Sequence, residues 1–271
     1  MNTQTNSKNT ISKENAPWVS DGNFQYLVYE TDNCKCGEEF NSAYLLRLVK
    51  GLDARGYIKD ICPKCEEEER LEAVRVLEVE KCKKNYYRQS QLNNKLIKAS
   101  FDNFHPESVD QEKALNIAKR YATNFKHNNP VGLLFYGNYG TGKSHLAASI
   151  SRNVLEIPVD TIFMPVPRLL TKIKSTFGNR SYETEASIID QLSNVSLLIL
   201  DDIGSENSTD WVDEKIFEII DNRIGKHTIY TSNLPPKDLQ QILGGRIFSR
   251  LMEDIQPVKM YGEDYRLKHF K

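Results

Sequence analysis

The sequence predicts an α/β fold in which crossover helices cover a parallel sheet. Short apolar runs, typical of strands buried on both faces, recur in the second half of the chain, each followed by a polar turn. Helical patterns separate these runs, and such an alternation is typical of a parallel sheet. At 271 residues, the chain has room for one α/β domain of roughly 150 residues and a smaller module. The clearest strand runs are GLLFYG, TIFMPV, SLLILDD and HTIYTSN.

The helices of this predicted fold follow in order around the strands. After Pro106, QEKALNIAKRYATNF places Ala114, Ile117, Ala118 and Tyr121 on one side of an amphipathic helix. SHLAASISRNVL follows the first strand run, and RLLTKIK follows the second. Each strand is therefore expected to connect to its neighbour through a helix.

The overall charge and the first residues limit the partners and the compartment. A formal net charge of −1 argues against a chain coated in Lys and Arg, so any contact with nucleic acid is expected to be local. No stretch approaches the roughly 20 apolar residues of a membrane span, so no membrane contact is expected. The polar opening MNTQTNSKNTISKEN lacks an apolar signal core, which predicts a disordered tail over residues 1–16 and a cytoplasmic protein.

Composition divides the rest of the chain into three regions. Residues 17–66 hold four clustered cysteines and form a candidate small module. Residues 67–99 lie mostly within and after the run EEEERLEAVRVLEVEKCKK, which has no Gly or Pro and spaces its apolar residues as a helix does. This run predicts a connecting helix, and a solvated helix with no role beyond spacing is the alternative. Residues 100–271 carry the alternating strands and helices.

The clustered cysteines form two close pairs, Cys34 with Cys36 and Cys62 with Cys65. Paired thiolates on tight turns suit tetrahedral Zn²⁺, and a reducing compartment favours metal ligation over disulfides. The first pair has one intervening residue in place of the usual two, and small buried cysteines or a redox pair are the alternatives. Four sulfur ligands leave no open position, so a structural zinc in a ribbon-like module is predicted. Its many aromatic residues and few cations favour a surface that binds protein.

Residues Gly137 to Ser144, GNYGTGKS, fit the phosphate-loop pattern G-x-x-x-x-G-K-[ST] between a strand and a helix. The glycines let backbone N–H groups point at phosphate oxygens at the start of the helix. Lys143 is expected to reach the β- and γ-phosphates and Ser144 to bind Mg²⁺, whereas an ordinary glycine-rich turn is the alternative. The predicted nucleotide contacts in this loop are Gly137, Asn138, Tyr139, Gly140, Thr141, Gly142, Lys143, Ser144 and His145.

The second half of such a site is expected to be acidic and to follow another buried strand. SLLILDD ends in Asp201 and Asp202. Asp201 is placed to hold Mg²⁺ and Asp202 to orient or deprotonate the attacking water, and capping of the next helix is the alternative. HTIYTSN ends in Asn233, which can position a water against the γ-phosphate or can simply form a turn.

Six stretches, in their order along the chain, resemble one family: SFDNF, the phosphate loop, LLILDDIG, TIYTSNLPP, GGRIFSRLMED and GEDYR. Over residues 100–271 they are similar to the AAA+ ATPase domain of the DnaC/DnaI-type replicative helicase loaders, relatives of the initiator DnaA and of the transposition ATPase IstB. The resemblance implies a P-loop NTPase sheet in the order 5-1-4-3-2, flanked by helices and without a separate lid domain. It also implies that ATP is hydrolysed slowly, as a switch.

The resemblance further implies roles for three residues. Asn233 corresponds to the sensor 1 residue, Arg250 to the arginine finger and Arg266 to a sensor 2-like arginine. Arg246, four residues before Arg250, is then an interface residue or a second phosphate contact. The alternative is that the two arginines pair with nearby carboxylates such as Glu253.

The function implied by the resemblance is that of a helicase loader. Its N-terminal zinc module holds a hexameric replicative DNA helicase, as in DnaI-type loaders, and its ATPase domain self-associates and engages single-stranded DNA. IstB-type ATPases generally lack such a module. The alternatives are an inhibitor that captures a helicase or its loader and an IstB-like transposition ATPase.

A basic stretch after the second strand run is the candidate contact with single-stranded DNA. RLLTKIKSTFGNR contains Arg168, Lys172, Lys174 and Arg180, where the resemblance implies an extra helix that faces the DNA. Lys172 and Lys174 are the predicted contacts, and a merely solvated basic helix end is the alternative.

Overall fold

The computed structural model divides the chain into two compact units, Met1–Val76 and Leu77–Lys271. The predicted tail, residues 1–16, and Arg180 lie outside the described residues. The structure describes residues 18–20, 25–34, 36–49, 52–57, 62–125, 132–178 and 183–270.

The first unit contains an antiparallel four-stranded sheet in the order β1-β2-β3-β4. The register pairs Asn33 with Glu39 at the turn between β2 and β3. The side chains of the aromatic residues in this module lie outside the described part of the chain. The strands of this sheet are β1 (Trp18–Ser20), β2 (Gln25–Asn33), β3 (Glu39–Val49) and β4 (Leu52–Tyr57).

Helix α1 (Pro63–Gln89) begins in the first unit and ends in the second. The sequence places a connecting helix in the region 67–99, whereas the residues from Leu77 onward belong to the second unit. The reason is that Cys82 and Tyr86 are buried in the core of that unit. The Tyr86 hydroxyl lies 2.7 Å from the hydroxyl of Ser151.

The second unit alternates helices and strands, as the apolar runs predict. After the end of α1 come α2 (Asn94–Ile97) and α3 (Val109–Thr123). The strands and helices that follow are β5 (Gly132–Tyr136), α4 (Lys143–Val154), β6 (Thr161–Pro165), α5 (Val166–Lys174), α6 (Glu185–Asn194), β7 (Leu197–Asp201), α7 (Asp210–Asp221), β8 (Thr228–Ser232), α8 (Pro236–Leu251) and β9 (Ile255–Lys259).

Side-chain caps explain where several of these helices begin. Ser108 and Gln111 form a reciprocal capping box at the start of α3. Thr184 caps α6 and Thr209 caps α7 by accepting from backbone N–H groups of the first turn. Helix α4 has no side-chain cap, so its first N–H groups face the loop that precedes it.

The sheet of the second unit has the order β6-β7-β8-β5-β9, and all its strand pairs are parallel. Counted along the chain, this order is 2-3-4-1-5, so the predicted order 5-1-4-3-2 and the predicted fold class are confirmed. The carboxyl ends of β5, β7 and β8 therefore meet at one edge of the sheet, where ligands bind in open α/β folds.

Both faces of this sheet are covered by apolar side chains. Leu133 and Phe135 of β5 pack into one cluster with residues of α3 and α4. Leu134 points to the other face, since side chains alternate along a strand, and packs with residues of α5, α6 and α7. No helix in the described ranges has the length and apolar character that a membrane crossing requires.

Candidate functional site

A cleft of about 620 Å³ lies at the carboxyl edge of the sheet. The predicted residues that line it are Tyr139, Gly140, Thr141, Gly142, Lys143, Ser144, His145, Asp201, Asp202, Asn233 and Arg266. The other lining residues are not among the predicted contacts, although Asn103, Phe104, Thr231 and Tyr265 lie in stretches that carry the resemblance. The remaining ones are Asn93, Lys95, Leu96, His105, Glu107 and Gln111. Fold and motif thus converge on one cavity large enough for a nucleotide.

The phosphate loop joins β5 to α4 in a shape that requires glycine. Gly140 and Gly142 have φ of 72° and 91°, a left-handed backbone that glycine adopts at little cost. A Cβ at Gly140 would overlap the Asp264 side chain, and one at Gly142 would overlap Phe104. The loop therefore fits closely between the carboxyl-terminal segment and the segment before α3.

Lys143 lies inside this loop. Its Nζ donates to the carbonyls of Gly137 at 2.9 Å and Asn138 at 2.7 Å. Burial lowers the pKa of Lys143 to about 8, against the opposing attraction of Asp202 and Asp201. The ammonium is therefore held beside the loop, and phosphate oxygens can replace the two carbonyls as its partners.

Asp201, the last residue of β7, is buried beneath the loop. The Thr231 hydroxyl donates to its Oδ1 at 2.6 Å. Burial raises the pKa of Asp201, and hydrogen bonds from Thr231 and Ser144 oppose this shift. A carboxylate and the Ser144 hydroxyl thus lie side by side, which is the donor set that Mg²⁺ takes in phosphate-loop proteins.

Asp202 and Asn233 meet at the neighbouring strand end. Nδ2 of Asn233 donates to Asp202 Oδ1 at 2.5 Å, and the backbone N–H of Asp202 donates to Oγ1 of Thr231 at 2.9 Å. The next helix, α7, is capped by Thr209. The aspartates therefore face the cleft, and another residue caps that helix.

Two further segments complete the cleft, the start of α3 and the carboxyl-terminal segment that contains GEDYR. Gln111 donates from Nε2 to the carbonyl of Thr141 at 3.2 Å, and its place in the S-x-x-Q capping box is the pattern that could have identified it. The carboxyl-terminal segment carries Arg266 into the lining. The side chain of Asn138 bonds both backbone groups of Gly262, at 2.6 and 3.2 Å.

His145 faces the segment before α3. Its Nε2 lies 2.9 Å from the carbonyl of Ser100, and its ring centroid lies 5.5 Å from that of Phe104. His145 therefore ties the SFDNF stretch to the helix that follows the phosphate loop.

Arg250 is not among the described residues that line the cleft. It lies in α8 after Gly244, whose φ of 76° interrupts the helix. Arg250 pairs with Asp221 at 3.3 Å and with Glu253 at 3.2 Å, and it lines a small cavity with Gly132, the first residue of β5. It thus lies near the amino end of a strand whose carboxyl end leads into the phosphate loop.

The two lysines of α5 have partners inside the chain. Lys172 pairs with Glu183 at 2.9 Å, and Nζ of Lys174 lies 4.9 Å from the centroid of the Trp211 ring. Trp211 in turn meets the exposed ring of Phe177 edge-on at 5.7 Å. The two lysines therefore belong to a patch that combines cations with aromatic rings.

The four clustered cysteines come together in the first unit. Their sulfurs all lie within 4.8 Å of one another, with Cys34 to Cys65 at 3.3 Å and Cys36 to Cys62 at 3.5 Å. All four are free thiols. This set of sulfur atoms could hold one metal ion.

Local hydrogen bonds bring these thiols to one point. In a tight turn, the N–H of Cys34 donates to the carbonyl of Glu38 and the N–H of Gly37 donates to the carbonyl of Cys34, each at 2.9 Å. At the start of α1, the N–H of Cys65 donates to Sγ of Cys62 at 3.4 Å. A hydrogen bond from the backbone of Cys36 is the main cause that lowers the pKa of Cys34 to about 6. One thiol is thereby biased toward the thiolate, the form that binds metals.

Residues 67–271 match the family described as IstB-like ATP binding protein. The replicative helicase loader DnaC of Buchnera aphidicola subsp. Baizongia pistaciae is 34% identical over 157 residues, which are 57% of this chain and 63% of the relative. The replicative helicase loader DnaC of Escherichia coli strain K12 is 32% identical over 154 residues, which are 56% of this chain and 62% of the relative. The chain thus spans less than two thirds of the length of these relatives.

A solved structure shares the fold of the second unit. The crystal structure of the DnaC helicase loader superposes with a TM-score of 0.56 at 28% identity, over 62% of this chain and 99% of that one. The family match contains the phosphate loop, both aspartates and Asn233, and it extends over more than half of the sequence. The chain belongs to the family of IstB-like ATP-binding proteins.

Proposed function

We propose that this protein is an ATP-dependent loader that binds a hexameric replicative DNA helicase and places it on single-stranded DNA. The observation that carries the proposal is the cleft, where the phosphate loop meets Asp201, Asp202 and Asn233. The two DnaC relatives are replicative helicase loaders, which supports helicase loading as the use of that cleft. A loader works where the DNA is, so we also propose a cytoplasmic location.

In this proposal the residues of the cleft divide the work of ATP hydrolysis. Lys143 and the loop N–H groups hold the phosphates, and Ser144 and Asp201 hold Mg²⁺. Mg²⁺, when bound, neutralises charge that develops on the transferred phosphoryl group. Asp202, oriented by Asn233, positions or deprotonates the attacking water. Turnover is slow and times the release of the helicase.

The second part of the proposal is self-association through the ATPase domain. Arg250 lies outside the described lining of the cleft in its own chain, and its guanidinium is half-exposed. We assign it to the γ-phosphate in a neighbouring subunit, where such a cation stabilises the charge of the transition state. Arg266 lines the cleft of its own chain and acts there as the sensor 2-like arginine.

The third part is a structural zinc in the first unit, held by Cys34, Cys36, Cys62 and Cys65. Zn–S bonds of about 2.3 Å place the sulfurs of a tetrahedral site about 3.8 Å apart, close to the 3.3 and 3.5 Å seen here. A module of residues 17–66 has little core, and a structural zinc contributes on the order of 10 kcal/mol to folding. We propose that this module binds the helicase. Residues 67–99 then connect the module to the ATPase domain, which comprises residues 100–271.

A loading assay with the full chain tests the proposal. The chain is mixed with a hexameric replicative helicase and with single-stranded DNA covered by single-strand binding protein. We expect unwinding only when the chain and ATP are both present, and none with Lys143→Ala. A chain that forms no complex with the helicase, measured by size exclusion, contradicts the proposal. If the chain binds the helicase and suppresses DNA unwinding on bare DNA, the result supports the alternative that the protein is an inhibitor.

A transposition ATPase is the second candidate, and the family description favours it, since the matching family is named IstB-like. The cysteine cluster favours the loader, because IstB-type ATPases generally lack such a module. Affinity purification of the full chain from its host distinguishes the two. A replicative helicase in the eluate supports the loader, and a transposase supports the alternative.

A further inference from the structure

The hydroxyl of Thr231 lies between the two aspartates of the cleft. Oγ1 donates to Asp201 Oδ1 at 2.6 Å and accepts from the backbone N–H of Asp202 at 2.9 Å. A backbone N–H can only donate, so the single hydroxyl proton goes to the carboxylate, and the direction of both bonds is fixed. Thr231 is 1% exposed, so bulk water does not compete for either bond.

Asp202 needs such support because its backbone is strained. Its φ of 63° is left-handed, a conformation that a non-glycine residue keeps only when its surroundings hold it. Thr231 and Asn233 are two residues apart and face the same side, so both reach Asp202. Ser232 turns the other way and donates to the carbonyl of Ile203 at 2.7 Å.

We propose that Thr231 is a positioning residue for ATP hydrolysis, whose one hydroxyl aligns the carboxylate of Asp201 with the backbone of Asp202. The inference rests on the proposed ATPase function. Thr231 acts through the two aspartates, on Mg²⁺ through Asp201 and on the attacking water through Asp202. The contacts of the phosphate loop with ATP do not depend on it. Its loss is therefore expected to lower turnover and to leave ATP affinity largely intact.

Two substitutions at Thr231 separate the hydroxyl from the shape of the side chain. Thr231→Val removes the hydroxyl at similar size, and Thr231→Ser keeps it. We expect Thr231→Val to lower kcat at least about tenfold while the Kd for a fluorescent ATP analogue changes less than about threefold. We expect Thr231→Ser to bring kcat back to within about threefold of the wild type. If Thr231→Val does not fold, Thr231→Ala also removes the hydroxyl and serves as the test.

Thr161→Val is the matched control, because Thr161 is also buried in this sheet and its hydroxyl donates only to the carbonyl of Val159, at 3.3 Å. We expect its kcat to stay near that of the wild type. A folded Thr231→Val with normal kcat, or a Thr231→Ser as slow as Thr231→Val, overturns the inference alone. A wild type that binds ATP without hydrolysing it overturns the proposed ATPase, and the inference with it.

Discussion

Lys143 is a cation kept in a site that disfavours its charge. It is 6% exposed, and burial lowers its pKa to about 8 although two aspartates are near. The carbonyls of Gly137 and Asn138 solvate the ammonium through its hydrogen bonds. Triphosphate supplies stronger partners because its oxygens carry negative charge, whereas the two carbonyls are neutral. Nucleotide binding and the protonation of Lys143 are therefore linked.

This linkage predicts that ATP affinity falls as the pH rises above about 8. Below that pH Lys143 is already charged, and above it the free protein must take up a proton to bind ATP, so Kd should rise up to about tenfold per pH unit. Isothermal titration between pH 7.5 and 9.5 measures this, a range in which the triphosphate is fully ionised. Adenosine is the control and should show no such slope. An equal slope for ATP and adenosine contradicts the assignment.

At the scale of elements, α5, the turn after it and the start of α7 together form the cation and aromatic patch of Lys172, Lys174, Phe177 and Trp211. Replacing Lys172 and Lys174 by Ala should weaken binding of single-stranded DNA and reduce the slope of log affinity against log salt by about 1.4, since each lost phosphate contact removes about 0.7. Fluorescence anisotropy over a salt series measures both quantities. Lys226→Ala is the control, because its Nζ donates to the carbonyl of Ser193. Unchanged affinity and slope in the double variant would show that the pair is only solvated.

The cysteine turn and the start of α1 make a second prediction at this scale. The purified chain should carry one Zn²⁺, and Cys62→Ser should lower this content severalfold, because it removes the ligand that also caps the helix. Cys82→Ser is the control, since Cys82 is buried in the second unit and is not part of the described cluster. Elemental analysis of the three proteins is the measurement. Equal zinc in all of them, or none in the wild type, would rule out the site.

Elements with a strong local pattern could be predicted from the sequence, and those shaped by their neighbours could not. The loop between β5 and α4 follows from glycine spacing. Strand β9, IQPVK, buries only Val258 well and contains Pro257, as an edge strand can. The position of β9 in the sheet could be predicted only from the family resemblance. The role of Thr231 depends on pairing between β7 and β8, and no spacing along one strand encodes that contact.

At the scale of the whole molecule, the cleft and Arg250 lie apart within one chain. Hydrolysis is therefore expected to need two chains, one that supplies the cleft and one that supplies Arg250. Arg250→Ala should still bind ATP and should lose ~10³-fold or more in turnover, the contribution of an arginine finger in other NTPases. Mixing Arg250→Ala with Lys143→Ala should partly restore turnover, because one chain supplies the intact cleft and the other the arginine.

The control for this mixture is Arg120→Ala, which removes an exposed arginine from the last turn of α3 and leaves Arg250 in place. It should bind ATP as the wild type does and should lose far less turnover than Arg250→Ala. Light scattering must show that the mixed chains assemble. A mixture that assembles and stays as inactive as its two components would show that Arg250 is an ordinary surface arginine.

The position of β5 has a consequence for how the protein is made. Its neighbours in the sheet, β8 and β9, are both synthesised after it. Two backbone hydrogen bonds fix the start of the phosphate loop after β5. The N–H of Gly137 donates to the carbonyl of Ser232 at 3.3 Å, and the N–H of Met260 donates to the carbonyl of Tyr136 at 2.8 Å. A nascent chain on the ribosome therefore carries the loop sequence without a formed pocket until the chain has been synthesised as far as Met260. ATP can first stabilise the chain once residues beyond Met260 have emerged, and products of interrupted translation remain unprotected by the nucleotide.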